Sequence, residues 1–128
     1  MDGHKQSSKI AKALAHPIRL QILEVLDREG ESCVCHLEHR LGQRQAYISQ
    51  QLARLRDAGL VTDRRVGLNV FYDLIDASIG RLLPVIRETA FALARKERQS
   101  LVFQPVTGDS SKSCCCPRCL EKINALAG

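Results

Sequence analysis

Between Gly42 and Tyr72 the chain changes its apolar period, and that change limits the folds open to it. Ile48, Leu52 and Leu55 repeat at i, i+4 and i+7, the spacing of one apolar helix face, over about residues 44–58. Glycines punctuate the pattern: Gly42 closes a preceding helix and Gly59 closes this one. Leu60-Val61-Thr62 and Val70-Phe71-Tyr72 then flank a charged tip, Asp63-Arg64-Arg65-Val66-Gly67-Leu68-Asn69, which signals a β-hairpin. Helix, tight turn, helix and basic hairpin in that order predict a winged helix-turn-helix: a mainly α fold with a small β-hairpin wing.

The flanks extend that core. Residues 1–9 are polar and are expected to fray. Ile10 and Leu14, then Ile18, Ile22 and Leu26, keep a four-residue step. Pro17, well tolerated at the first position of a helix, divides them into a short helix ending near Ala15 and a second that Gly30 ends. Ser32 is the expected N-cap of a third helix reaching Leu41. Beyond Asp76, the residues Ile79, Leu82, Leu83, Ile86, Ala90, Leu93 and Ala94 form another apolar stripe. Pro84 lies inside it; an interior proline costs a helix about 3 kcal/mol, so a kink or a restart is expected there. Residues 1–98 therefore read as one domain. Residues 99–128 read as a flexible, cysteine-rich tail, with a linker over 99–113 and a last helical turn from Leu120 to Leu126.

Charge gives the helix-turn-helix a partner. The chain has 19 Lys and Arg against 14 Asp and Glu, a formal +5. Six arginines fall between Arg40 and Val66 (40, 44, 54, 56, 64 and 65) against Asp57 and Asp63, so +4 of the +5 lies on the helix-turn-helix and the wing. An ordinary solvated basic face is the plain alternative, but the spacing and the basic tip favour phosphates of duplex DNA. Aromatics make up only 4% of the chain, too few for a single-strand stacking platform. With Ile48, Leu52 and Leu55 turned inward, Gln45, Ala46, Ser49 and Gln50 face base edges. Gln suits adenine, Ser is permissive and Ala can touch a thymine methyl. Arg44, Arg54, Arg64 and Arg65 are candidate phosphate contacts, and Tyr47 and Asn69 complete the DNA-binding set. No run approaches 18 apolar residues and the first residues have no apolar signal core, so the expectation is a cytoplasmic protein without membrane contact.

The six cysteines form two clusters: Cys33 and Cys35, and Cys114-Cys115-Cys116-Pro117-Arg118-Cys119. A secreted disulfide framework would spread them to staple distant segments. At a helix start, backbone N–H groups favour a thiolate, and thiolates select soft ions. Inert packing of Cys33 and Cys35, and an incidental tail, are the plain alternatives. His36 and His39 read as solvated histidines first and nitrogen ligands second.

Four segments carry a resemblance. They are Lys12-Ala13-Leu14-Ala15-His16-Pro17-Ile18-Arg19-Leu20, Ser32-Cys33-Val34-Cys35-His36-Leu37, Tyr47 through Val61, and the wing from Arg64-Arg65-Val66-Gly67 to Phe71-Tyr72-Asp73-Leu74. Over about residues 10–98 the chain resembles the ArsR/SmtB family of metal- and metalloid-sensing repressors, and Cys33-Val34-Cys35 resembles its arsenic-responsive members. The resemblance implies a homodimer built on the first and last long helices, bound to a palindromic operator and released by its inducer. It makes residues 1–98 the DNA-binding and dimerisation domain. The family differs in having Asp at the position of His16, Ser or Thr at that of Arg44, and a basic residue near Leu68. Its arsenic-responsive members have a third cysteine where this chain has Glu38.

The expected function is a repressor relieved by As(III) or Sb(III), inorganic or methylated, through Cys33, Cys35 and tail thiols from Cys114, Cys115, Cys116 or Cys119. Sensing of Cd(II), Pb(II) or Zn(II), including a four-thiolate zinc site of Cys33, Cys35, Cys116 and Cys119, is one alternative; thiol-redox sensing is another. A thiol–disulfide oxidoreductase using Cys116-Pro117-Arg118-Cys119 is a minor one, because the pattern holds no βαβ unit. Residues i and i+2 of a helix point about 200° apart. Joint chelation by Cys33 and Cys35 is therefore expected to unwind the first turn of the third helix.

Overall fold

The computed structural model describes residues 1–103. The Asp2 carboxylate accepts from the backbone N–H groups of His4 and Lys5 at 2.9 and 3.3 Å, capping helix α1 (Gly3–Leu14). The polar start is thus helical from Gly3, not frayed: a capped end satisfies donors that would otherwise face only water. Helix α2 (Pro17–Glu29) begins on proline and ends at Gly30, whose φ of 78° only glycine adopts cheaply.

Ser32 is not a helix cap. Ser32–Cys33 forms a two-residue strand, β1, and Cys33 is the N-cap of α3 (Val34–Leu41). The Ser32 hydroxyl turns back to donate to the Gly30 carbonyl at 2.9 Å. Gly42 ends α3 in the left-handed region, and α4 (Gln45–Asp57) follows.

The hairpin is longer than its apolar residues indicated. Strands β2 (Val61–Val66) and β3 (Asn69–Leu74) pair through the charged tip itself, with Arg64 opposite Phe71 and Arg65 opposite Val70. Only Gly67 and Leu68 remain as the turn, and Gly67 has the positive φ (60°) that the first residue of such a turn requires. All strands are antiparallel, in the order β1-β3-β2.

Helix α5 (Ala77–Lys96) runs through Pro84 without a restart. The ring removes one backbone donor, but Leu83 and Ile86 pack on the core and Ile79 and Ala94 are buried, so tertiary contacts span the missing bond. The helix lies antiparallel to α2: Gly80 is beside Asp27, Arg87 bonds Glu24, and Ala90 shares a groove with Pro17 and Leu20. A Cβ at Gly80 would stand 2.0 Å from Asp27 Oδ1, so the two helices meet across a position with no side chain.

The core gathers on α2, where Ile22, Leu23, Val25 and Leu26 are buried against residues of α3, α4, β2 and β3. Another apolar surface stays open. Ile10, Ala11 and Leu14 of α1 with Leu82 and Ile86 of α5 line a groove of about 560 Å³, and Val85, Phe91 and Leu93 are exposed along α5. After α5, Arg98 takes a left-handed φ of 55° and the chain turns back. Phe103 then packs on Phe91 (5.0 Å between centroids) and under the Arg87 guanidinium (4.5 Å).

Asp76 caps α5 by accepting from the Ser78 backbone N–H at 2.8 Å. Bonds from Ser78 hold its carboxyl below the ordinary value of 3.8. A depressed folded value means the charged cap stabilises fully above the unfolded pKa, and the gain disappears as pH falls through the folded one. Thermal melts of wild type and Asp76→Asn are expected to differ at pH 7 and to converge as the pH drops below 3.8.

Candidate nucleic-acid interface and thiol site

Helix α4 presents the expected face. Ile48, Leu52 and Leu55 are fully buried, Gln45, Ala46 and Gln50 are exposed, and Tyr47 and Ser49 are half-buried. Arg44 is the N-cap; its side chain makes no capping bond and the residue is exposed. Asn69, at the base of the wing turn, is half-buried.

Gln51 belongs to the same stretch yet points inward and is buried. Arg19 Nε donates to its Oε1 at 2.8 Å, and Arg19 Nη1 donates to the Ala13 carbonyl at 3.1 Å. This polar link ties α4 to α2 and to the end of α1. Sequence reading missed it, although the phase held the signal: 48, 51, 52 and 55 fall on one helix face. His16, ahead of Pro17, caps nothing with its side chain; its ring lies 6.4 Å from that of Tyr47 and its Nδ1 is buried without a partner among the described residues.

The six arginines are not equivalent. Arg40 bonds Glu29, Arg56 pairs with Asp63 at 3.2 Å and Arg64 pairs with Glu31. Glu31, through its hydrogen bond and its charge, raises the Arg64 guanidinium above its ordinary pKa. Among the described residues Arg44, Arg54 and Arg65 make no ion pair, and all three are exposed. Of the six, these three are the ones whose charge no described acidic side chain offsets.

Cys33 and Cys35 meet in one place. Cys33, 4% exposed, packs with Phe71, and Cys35 lies against the same small cluster, apart from the main core. Cys33 Sγ accepts from the His36 backbone N–H at 3.3 Å and so caps the first turn of α3. Because Cys33 has an extended ψ of 164°, the two thiols are not separated by an ideal helical step. The premise that joint chelation must unwind a regular turn is corrected accordingly. The His36 ring is 3.0 Å from Glu29 Oε1, and Arg40 Nε donates to Glu29 Oε2, so His36 is not the solvated histidine expected but part of a partly buried polar cluster. His39 is exposed.

Among the described residues, no group of three or more His, Cys, Asp or Glu side chains is placed to hold a metal ion. The donor set there is two thiols. Cys114, Cys115, Cys116 and Cys119 lie outside the described residues, as do the expected last helical turn and most of the linker. The sheet of the described residues is wholly antiparallel, so it has no βαβ unit of the kind an oxidoreductase motif would need. No helix among the described residues is long and apolar enough to cross a membrane.

Residues 16–63 match the family described as bacterial regulatory protein, arsR family. The chain is 36% identical over 99 residues to the biofilm growth-associated repressor of Xylella fastidiosa, covering 75% of this chain and 85% of that one. It is 46% identical over 65 residues to the arsenic resistance transcriptional regulator ArsR1 of Pseudomonas putida, a match that spans 51% of each chain. The fold superposes with a TM-score of 0.61 on the homodimeric winged helix-turn-helix DNA-binding domain Mb0332 of Mycobacterium bovis, at 29% identity over 77% of this chain and 89% of that one.

The arginine pairing makes a specific expectation. In DNA-binding titrations at several salt concentrations, Arg44→Ala and Arg65→Ala each flatten the slope of log K against log salt by about one unit per subunit, while Arg56→Ala changes it less. Gln51→Leu strands Arg19, and denaturant unfolding should report a loss of about 1–3 kcal/mol.

Proposed function

Because the chain belongs to the arsR family of bacterial regulatory proteins, we propose that it is a homodimeric repressor that binds a palindromic operator and is released when trivalent arsenic or antimony, inorganic or methylated, engages its cysteine thiolates. One observation carries the choice of signal. Cys33 packs with Phe71, a residue of the wing, and Cys35 lies against that small cluster, at the start of the helix that precedes α4. The similarity to a regulator named for arsenic resistance supports it. The DNA reading rests on α4, with Gln45, Ala46, Ser49 and Gln50 toward base edges, and on Arg44, Arg54 and Arg65 toward phosphates. The open apolar face of α1 and α5 supports a homodimer, as does the homodimeric neighbour from Mycobacterium bovis.

The chain's own residues supply a route from thiol to DNA. A Cys33 sulfur engaged by an inducer no longer accepts from the His36 N–H in the same geometry, so α3 loses its cap. Helix α3 packs directly on α4, and β1 is hydrogen-bonded to β3 of the wing. Inducer and DNA then favour different arrangements of one unit, which is the requirement for coupled binding.

Two thiols suit a methylated trivalent arsenical, whereas inorganic As(III) takes three sulfurs. Cys114, Cys115, Cys116 and Cys119 are the candidates for the third.

Fluorescence anisotropy of the intact protein on a duplex selected from a random pool tests this reading. Arsenite and methylated As(III) are expected to release the DNA, with Cys33→Ser and Cys35→Ser each blocking release. A chain ending before Cys114 is expected to lose the arsenite response and to keep the methylated one. Release by Cd(II), Pb(II) or Zn(II) in place of arsenicals, or by peroxide with reversal by a reductant, would replace arsenic with the corresponding signal.

A further inference from the structure

One row of side chains crosses the wing sheet. The β1–β3 register sets Cys33 opposite Phe71, and the β2–β3 register sets Arg64 opposite the same Phe71. Directly paired residues of antiparallel strands share a face, so Cys33, Phe71 and Arg64 stand side by side. The Arg64 guanidinium carbon is 5.5 Å from the centroid of the Phe71 ring. Its Nε and Nη2 donate to the two carboxylate oxygens of Glu31 at 3.1 and 2.5 Å. Glu31 stands two residues before Cys33 and one before β1.

We propose that Glu31 is a positioning residue for DNA binding: its carboxylate occupies the two Arg64 donors that a DNA phosphate would take, so the wing arginine is released to DNA only by exchange. A guanidinium meets carboxylate and phosphate through the same two-donor fork, so one acceptor excludes the other. The exposures say which partner moves. The Arg64 side chain is 52% exposed and that of Glu31 16%, so the arginine swings outward and the carboxylate stays. An exposed ion pair is weak, which keeps the exchange within reach of a polyanion that releases counterions. The exchange also joins the wing to the thiols. Glu31 and Cys33 lie on one short segment, so movement of Cys33 changes how well Glu31 competes for Arg64. This inference rests on the DNA-binding reading above and does not depend on which inducer is used.

The test is a double-mutant cycle without any inducer. Binding to a duplex selected from a random pool is measured for wild type, Glu31→Gln, Arg64→Gln and the double variant, with thermal melts confirming that each is folded. Glu31→Gln is expected to tighten binding about two- to five-fold, the range an exposed ion pair can supply. Arg64→Gln is expected to weaken binding and flatten the salt slope by about one unit per subunit. In the Arg64→Gln background, Glu31→Gln is expected to have no effect. The Arg64 Nε–H resonance should be protected in free wild type, lost in Glu31→Gln, and shifted on adding DNA. If Glu31→Gln tightens binding equally with and without Arg64, the carboxylate acts only as a distant charge and the proposal falls. If it loosens binding, Glu31 is a structural brace and the proposal also falls. If wild type selects no duplex, the DNA-binding reading itself falls, and the exchange with it.

Discussion

The burial of α2 is the constraint on which the rest depends. Its apolar residues are not confined to one stripe: Ile22, Leu23, Val25 and Leu26 are all closed off from solvent. A helix buried on several sides must be surrounded, and here the surrounding elements are α3, α4, α5 and the inner face of the wing. Each functional part is consequently placed by its packing on α2. Helix α4 is held by Ile48, Leu52 and Leu55, while α5 is drawn antiparallel along α2 past Asp27 and Glu24.

On that frame, polar links set the finer positions. Arg19 joins Gln51 of α4 to the end of α1, so the second helix of the helix-turn-helix is fastened to an element of the open apolar face. Glu29 gathers the His36 ring and Arg40 and so fastens α3 to the end of α2. Each side chain was unremarkable as a letter in the sequence. Together they tie α1, α2, α3 and α4 to one another through polar contacts as well as through the apolar core.

Much of this was legible beforehand, for identifiable reasons. The turn glycines, the apolar phase of α4 and the strand–tip–strand pattern are local signals, and each produced the element expected. Where expectation and structure part, a partner distant in sequence decides. Ser32 has a capping side chain, but pairing with Tyr72 makes it a strand residue and leaves the cap to Cys33. The tip residues Asp63 to Val66 look like a loop because they are charged, yet β3 supplies a ladder that holds them. Pro84 breaks an isolated helix, but α5 is braced from the core side. Similarly, net charge counted six arginines as one basic surface, while Glu29, Asp63 and Glu31 neutralise three of them in place.

The sequence by itself determined the winged helix-turn-helix, the outward face of its second helix and the two thiols near the start of the helix before it, because apolar period, turn residues and residue type act over a few positions. Only the tertiary structure decided that Cys33 belongs to the wing sheet, that it packs with Phe71, and that Arg64 is held by Glu31. Those outcomes rest on a two-residue strand and on an ion pair between residues 33 positions apart. A contact of that kind has no local period to reveal it, since it exists only after α2 has brought the wing and the start of α3 together.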